Sequence, residues 1–327
     1  MKAWMLEAGS LALTLVDAPE AQPGPHQVQV KVMAASLNRG EFLHGGGKYA
    51  AVQGPAPVKR CGMEAAGVVT AIGAGVSRYR VGDRIMGRAA GGFAEQAILD
   101  ERDSIPVPDG TDWIDAGSIP IAYAVAYDMI VTNGELQAGD TLLVTSVASG
   151  VGVACLQIAK ALDARVIGTS GSADKLAQLK RAGLDEAVTT RGADFVDAVK
   201  AFTGGKGAQV AINNIGGSVF EALIASLGYM GRLALVGHVD GIKRTTIDID
   251  DVHSRRLKIF GVSNRLRTPE QRAATIDGFI RDMVPLIRAG KLKPLIDSVY
   301  AFGDLPKALE RMRADAHVGK IVLKMGA

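Results

Sequence analysis

The stretch Thr141-Leu-Leu-Val-Thr-Ser-Val-Ala-Ser-Gly-Val-Gly-Val-Ala-Cys-Leu-Gln-Ile-Ala-Lys160 changes its hydrophobic period part-way along, and that change decides the fold. Residues 142–147 are largely apolar and β-branched, as a parallel strand covered on both faces requires. Val153, Leu156, Ile158 and Ala159 then follow helical spacing. Between the two lies a turn of small residues, Ala148, Ser149, Gly150, Val151 and Gly152. Such a turn lets a pyrophosphate approach the backbone N–H groups of a helix N-terminus, where the peptide dipoles favour negative charge. Gly152 also lets the helix pack close to the strand. The glycine fingerprint is incomplete, since its first two glycine positions hold Val147 and Ser149. Support comes from downstream, where a second apolar strand at 164–169 and a helix at 173–182 complete a βαβ unit.

Where that second strand ends, Thr169-Ser-Gly-Ser172 contains no Asp or Glu to hold a ribose 2′-hydroxyl. Without a repelling carboxylate, Ser170 and Lys175 can donate hydrogen bonds to a 2′-phosphate, so NADPH is the expected cofactor. The alternative for Lys175 is a solvated helix lysine. Asp174 reads as a first-turn residue that complements the helix dipole.

A chain of 327 residues that is 48% hydrophobic can bury substantial cores, and its length suggests about two domains. With 37 basic against 34 acidic residues, no charge excess is left for a nucleic-acid footprint. No apolar run reaches the roughly 18 residues that span a bilayer, and residues 1–13 lack the pattern of a secretory signal, so a cytoplasmic location without membrane contact is expected. Cys61 and Cys155 sit among small or apolar neighbours and read as reduced, buried thiols.

Residues 1–118 are rich in glycine-bounded strands, among them 28–32 and 65–72, and read as a barrel-like domain. From 119 to 263 strands and helices alternate, with strands expected at 141–147, 165–169, 209–213, 232–237 and 258–263 and helices near 152–162, 173–182, 194–202 and 219–227. Thr268-Pro269 opens a long helix, and strand character returns at 292–299 and 319–324. Residues 264–327 are therefore expected to rejoin the first domain. The strand near 259–263 would end the parallel sheet with an open apolar edge, which predicts a homodimer formed by pairing that edge with its two-fold mate.

Several motifs in order carry a resemblance over nearly the whole chain. They are Ala35-Ser-Leu-Asn38 followed by a glycine loop and Tyr49, Gly62-Met-Glu-Ala-Ala-Gly-Val-Val69, Arg80-Val-Gly-Asp-Arg-Ile85 and Gly92-Phe-Ala-Glu95. Asn214-Ile-Gly216, Leu235-Val-Gly237 and Gly319-Lys-Ile-Val-Leu323 extend them. Together they resemble the zinc-independent quinone oxidoreductase (ζ-crystallin-like) branch of the medium-chain dehydrogenase/reductase superfamily. The resemblance implies an α/β chain in which a GroES-like β-barrel catalytic domain joins a Rossmann doubly wound parallel-sheet domain. In zinc-dependent relatives the position of Asn38 is Cys, that of Met63 is His, and a further Cys lies near 119–123. All three are absent here, as are the clustered cysteines of the structural zinc lobe, so no metal is expected. His44, Cys61 and Glu64 are not expected to form a substitute set, since nothing signals the outer shell that a metal site needs.

The resemblance places Asn38 beside the nicotinamide, donating to a ribose or acceptor oxygen, with a loop-closing Asx turn as the alternative. Tyr49 would form an aromatic wall of the cleft and a candidate proton donor, or else merely pack. Asn214, Val236, Gly237, Val262 and Ser263 would flank the adenine ribose and nicotinamide. Ala124 replaces a threonine common in relatives, and Thr190 replaces a tyrosine found in some, with Arg191 beside it to take over recognition of the 2′-phosphate. Arg39 either attracts an acidic acceptor or makes a surface ion pair.

Alcohol oxidation needs a Lewis acid or strong base, which the sequence does not signal. An acceptor already polarised by conjugation needs mainly a positioned hydride donor, exclusion of water and stabilisation of the developing enolate. The expectation is an NADPH-dependent reductase of quinones or other α,β-unsaturated carbonyl acceptors. The alternatives are an enoyl thioester or haloacrylate-type alkene reductase, or a non-catalytic NADPH- or RNA-binding protein. Near-neutral charge argues against RNA.

Overall fold

The computed structural model describes residues 1–7, 12–42 and 58–326, and the chain divides into two units, Met1–Ala124 with Asn264–Ala327 and Val125–Ser263. Tyr49 and His44 fall outside the described residues.

The first unit begins with β1 (Lys2–Glu7), β2 (Leu13–Asp17), β3 (Gln27–Ser36), β4 (Val58–Arg60), β5 (Glu64–Ile72), β6 (Arg84–Ala90) and β7 (Gln96–Pro106). Two helices follow, α1 (Trp113–Ser118) and α2 (Pro120–Tyr127). Side chains alternate between buried and half-buried along most of β7, the period expected of a strand with one face on a core. Strand β3 pairs with both β5 and β7, so β3, β5, β6 and β7 close on themselves as a barrel and leave no edge within that ring. Val28, Val30, Ile85 and Leu99 fill its centre.

The second unit contains β8 (Thr141–Val144), α3 (Gly150–Ala161), β9 (Arg165–Ser170), α4 (Ala173–Arg181), β10 (Glu186–Thr189), α5 (Val196–Phe202) and β11 (Ala208–Asn213). After these come α6 (Phe220–Ser226), β12 (Leu227–Leu235), α7 (Ile249–Ser254) and β13 (Lys258–Gly261). Every pairing in its six-stranded sheet is parallel, in the order β10-β9-β8-β11-β12-β13. The chain runs outward from β8 to β10, then restarts on the other side of β8 with β11. This is the doubly wound arrangement in which ligands bind beyond the carboxyl ends of the strands, at the point of reversal. Leu143, Ile167, Ala211 and Leu233 from four strands pack against Phe195, Phe220 and Leu223.

The chain returns to the first unit through α8 (Pro269–Arg288), β14 (Ile296–Ala301), α9 (Leu305–Arg313) and β15 (Lys320–Lys324). Helix α8 starts where Thr268-Pro269 predicts, with Thr268 and Gln271 forming a capping box. Strand β15 lies antiparallel to β3, Val322 opposite Ser36, and so carries the last strand beside the end of β3.

Several expected bounds shift in detail, among them that of β14, which starts at Ile296 rather than 292. Strand β8 stops at Val144 rather than 147, because Thr145 turns its hydroxyl to the Ile212 carbonyl and Ser146 takes a left-handed φ of 52°. Strand β12 starts at Leu227, earlier than 232, and β13 ends at Gly261. Strand β10, between α4 and α5, is an addition to the expected set. Among the described residues no helix is long and apolar enough to cross a membrane.

Candidate functional site

The expected cofactor residues all lie beyond the carboxyl ends of the parallel strands. Ala148 to Gly152 follow β8, Ser170 ends β9, Arg191 follows β10, Asn214 follows β11, Val236 and Gly237 follow β12, and Val262 and Ser263 follow β13. Ser149 caps α3, its hydroxyl accepting from the Gly152 N–H at 3.1 Å. The Ser149 N–H donates to the Ser146 carbonyl at 3.1 Å. Of the four N–H groups that a helix start leaves without intrahelical acceptors, those of Gly150 and Val151 remain to meet an anion. A Cβ on Gly152 would lie 2.6 Å from the Ser146 carbonyl oxygen and 2.7 Å from the Val147 Cα, so only glycine lets the helix approach the strand this closely. The cradle thus fits a pyrophosphate.

At the turn after β9, Ser172 caps α4 by accepting from the Lys175 N–H at 3.4 Å, which places Lys175 in the first turn together with Asp174. Arg191 packs over Gly171 in the same turn. The Arg191 guanidinium therefore lies at the turn where an NAD-preferring site would carry an acid, and Lys175 is in the first turn of the helix that follows. Asn214 is buried; its Nδ2 donates to the Thr145 carbonyl at 2.9 Å and its N–H to the Thr145 hydroxyl at 3.0 Å. It pins the ends of β8 and β11 together and so shapes the crevice at the reversal point. Val236 and Val262 donate their N–H groups to Asn213 and Leu235 carbonyls at 3.2 Å each, whereas Gly237 and Ser263 are exposed.

In the first unit, Asn38 follows the end of β3 and precedes a short 3₁₀ turn at Arg39–Glu41, but its side chain does not cap that turn, so the Asx-turn alternative is not the one observed. Its amide instead enters a buried polar network. Nδ2 donates to Glu64 Oε1 at 2.7 Å, and Oδ1 accepts from Lys320 Nζ at 3.0 Å. Lys320 also donates to the Leu37 carbonyl at 3.2 Å and to Glu64 Oε1 at 3.0 Å. The Ser36 hydroxyl donates to the same carboxylate oxygen, and Glu64 Oε2 accepts the Ile121 N–H at 2.6 Å. Glu64 thus holds neighbouring backbone and is also the partner of a buried lysine. Lys320, only 3% exposed, is the member of this network that sequence reasoning missed.

Around this network, Met63 is half-buried and Cys61 is fully buried, its thiol pushed far up by burial. Glu41 accepts the Gly62 N–H at 2.6 Å. Burial raises its carboxyl to about 7, against the opposing pull of that N–H. Arg39 makes an ion pair with Asp315 on the exposed surface, the second of its two expected roles. Among the described residues no group of three His, Cys, Asp or Glu side chains is placed to hold a metal ion.

Two family models match the chain. The alcohol dehydrogenase GroES-like domain covers residues 24–109, and the zinc-binding dehydrogenase model covers 150–277, within which neither Asn38 nor Met63 falls. Erythronolide synthase EryA2 of Saccharopolyspora erythraea is 32% identical over 323 residues, which is 95% of this chain and 8% of that protein. A phenolphthiocerol/phthiocerol polyketide synthase of Mycobacterium tuberculosis is 29% identical over 315 residues, 96% of this chain and 14% of that protein. The chain therefore spans a small part of the curated relatives it matches. Among solved structures, a native mycobacterial quinone oxidoreductase superposes with a TM-score of 0.84 at 27% identity, covering 99% of each chain. A mycobacterial protein complexed with NADPH gives 0.86 at 26% identity over 99% of this chain and 100% of its own. An NAD-dependent alcohol dehydrogenase gives 0.82 at 28% identity over 100% of both. The chain belongs to the medium-chain dehydrogenase/reductase superfamily.

Proposed function

We propose that this chain is an NADPH-dependent reductase of quinones or other α,β-unsaturated carbonyl compounds that works without a metal ion. The observation that carries the reading is the turn after β9, free of acids and flanked by Arg191 and Lys175. That charge pattern fits a 2′-phosphate better than a bare ribose diol. The mycobacterial structure complexed with NADPH supports the same choice.

When bound, the nicotinamide supplies the hydride. The protein's part is to bind and orient. The Gly150 and Val151 N–H groups would hold the pyrophosphate at the α3 N-terminus, and Gly152 lets the helix pack close to the strand. Asn38 offers an amide N–H to the oxygen on which negative charge gathers as the conjugated acceptor is reduced. The positions of the zinc ligands in zinc-dependent relatives hold Asn38 and Met63, neither of which supplies the thiolate or imidazole that zinc prefers. Solvent supplies the proton after hydride transfer, and no side chain serves as an obligatory general acid.

A second reading, reduction of an enoyl thioester, is favoured by the near full-length match of this chain to segments of polyketide synthases. Both acceptors are electron-poor alkenes, so the two readings share the nicotinamide site and differ in the acceptor pocket. Following NADPH oxidation against a panel of benzoquinones, naphthoquinones, enones and enoyl thioesters separates them. Turnover of quinones and enones supports the first, turnover confined to thioesters supports the second, and no NADPH oxidation with any acceptor overturns both.

A further inference from the structure

We propose that Lys320 is a positioning residue for Asn38, fixing which way the Asn38 amide faces so that one of its N–H bonds is presented to a ligand oxygen. The proposal rests on the reductase reading in one respect only, that the ligand oxygen belongs to cofactor or acceptor.

An asparagine amide has two ends of nearly equal size and opposite hydrogen-bonding character, and packing alone does not choose between them. Here the neighbours do. A lysine ammonium only donates and an ionised carboxylate only accepts. Lys320 Nζ lies 3.0 Å from Asn38 Oδ1, and Glu64 Oε1 lies 2.7 Å from Asn38 Nδ2. Turning the amide over would set its NH2 group against the ammonium and its carbonyl against the carboxylate, replacing two attractive contacts by two repulsive ones.

Among the described residues the other groups of the network are paired. The three protons of Lys320 go to Leu37, Asn38 and Glu64. Glu64 Oε1 accepts from Ser36, Asn38 and Lys320, and Oε2 accepts from Ile121. Lys320 and Glu64 are 3% and 0% exposed, so the pair is desolvated and its hydrogen bonds gain from the low local dielectric. Among the described residues the second N–H of Asn38 has only the Ser36 carbonyl, at 3.5 Å, which is the outer limit of a hydrogen bond. Asn38 is half-buried while its partners are buried, so among the described residues this is the one donor of the network open to a bound molecule. Lys320 enters from β15, the last strand of the chain, whose pairing with β3 sets it beside Asn38.

A lysine that merely glues β15 to β3 would affect stability; one that orients Asn38 affects turnover through Asn38. The test compares wild type with Lys320→Met, Asn38→Ala and the double variant. A Glu64→Gln/Lys320→Met variant, which removes both buried charges, serves where Lys320→Met alone does not fold. Protein labelled with 15N-asparagine gives side-chain amide resonances for Asn38, Asn133, Asn213, Asn214 and Asn264, and the Asn38 pair is identified by its loss in Asn38→Ala. The expected result is that Lys320→Met moves the Asn38 pair alone towards the position of a free amide. With a naphthoquinone probe, kcat is expected to fall at least about tenfold, as for a weakened oxyanion donor, with the NADPH KM within about twofold and little further loss in the Asn38→Ala background. An unmoved Asn38 resonance, an unchanged kcat, or a loss that adds in full to that of Asn38→Ala would overturn the proposal. A wild type that oxidises no NADPH with any acceptor would overturn the reductase reading instead, while the amide resonance still decides the orientation.

Discussion

Arg191 lies directly over Gly171: a Cβ on that glycine would fall 2.5 Å from Arg191 Cγ and 2.6 Å from its Nε. The two residues follow β10 and β9, neighbours in the parallel sheet, so the register of those strands brings a guanidinium to the turn where a ribose 2′ substituent is expected. Four residues of β10 suffice for this.

Charge reversal at this turn separates the two nicotinamide cofactors. Arg191→Glu and Lys175→Glu are each expected to weaken NADPH binding by roughly 1.5 to 3 kcal/mol, the range of a hydrogen bond to a charged group, while NADH binding changes little. Titration calorimetry checks this. Equal dissociation constants for NADPH and NADH in the wild type would refute the assignment.

At the reaction centre, Asn38→Ala is expected to lower turnover by roughly 10² at most, the lower end for one lost oxyanion donor. Tyr49→Phe is expected to change turnover by less than about tenfold, as for a residue outside general acid–base catalysis. Should Tyr49→Phe abolish turnover with NADPH binding intact, Tyr49 would be the general acid.

Glu41 makes stability depend on pH. Its carboxyl titrates at about 7 in the folded chain against an ordinary 4.5, because burial penalises the charged form. The folded chain therefore holds this proton more tightly than the unfolded one. The contribution is present in full below the ordinary value and is lost as pH rises through about 7, a change of roughly 3 kcal/mol. Urea unfolding at about pH 5 and about pH 8 should show this loss in the wild type and a flatter profile in Glu41→Gln. Parallel profiles would remove Glu41 as the cause.

The α3 turn is legible in the sequence because its constraints are local. Period change, small residues and cap all fall within 141–160, whereas the missing first glycine is answered from the neighbouring strand. Val147 stands in that position, and Gly168 on the adjacent strand makes the room, since a Cβ there would fall 2.6 Å from Val147 Cγ1. The early end of β8 is not legible in this way. It depends on Thr145, which bonds Ile212 and Asn214 on a strand 67 to 69 residues away. Strand β10, Glu186-Ala-Val-Thr189, is too short and too evenly half-buried for alternation to reveal it. Lys320 is hidden for the same physical reason: a single lysine opening an apolar strand reads as an end residue, and only Glu64, 256 positions earlier, makes its burial tolerable. Asn38 is legible as a site residue only through its motif, and the partners that orient it emerge with the fold.

Strand β13 predicts a dimer. It ends the parallel sheet, and Ile259 and Phe260 on it are half-buried. The Val262 N–H points to the Leu235 carbonyl, so by alternation the N–H groups of Ile259 and Gly261 point away from β12 and are placed to pair with a second copy. Light scattering of the wild type at micromolar concentration should give the mass of two chains. Ile259→Pro, which removes an outward N–H without taking a hydrogen bond from the sheet, should give one. A monomeric wild type or a dimeric variant would contradict this pairing.

Hydride transfer without metal is tested by incubating exhaustively chelated enzyme with NADPH deuterated at the nicotinamide C4 and a naphthoquinone or an enone. Deuterium is then located in the products. The expected result is full turnover after chelation, with deuterium carried to the β-carbon of the reduced enone and no stoichiometric zinc by elemental analysis. Activity that disappears on chelation and returns with zinc, or a reduced enone that carries no deuterium at its β-carbon when both C4 positions of NADPH are deuterated, would contradict the reading.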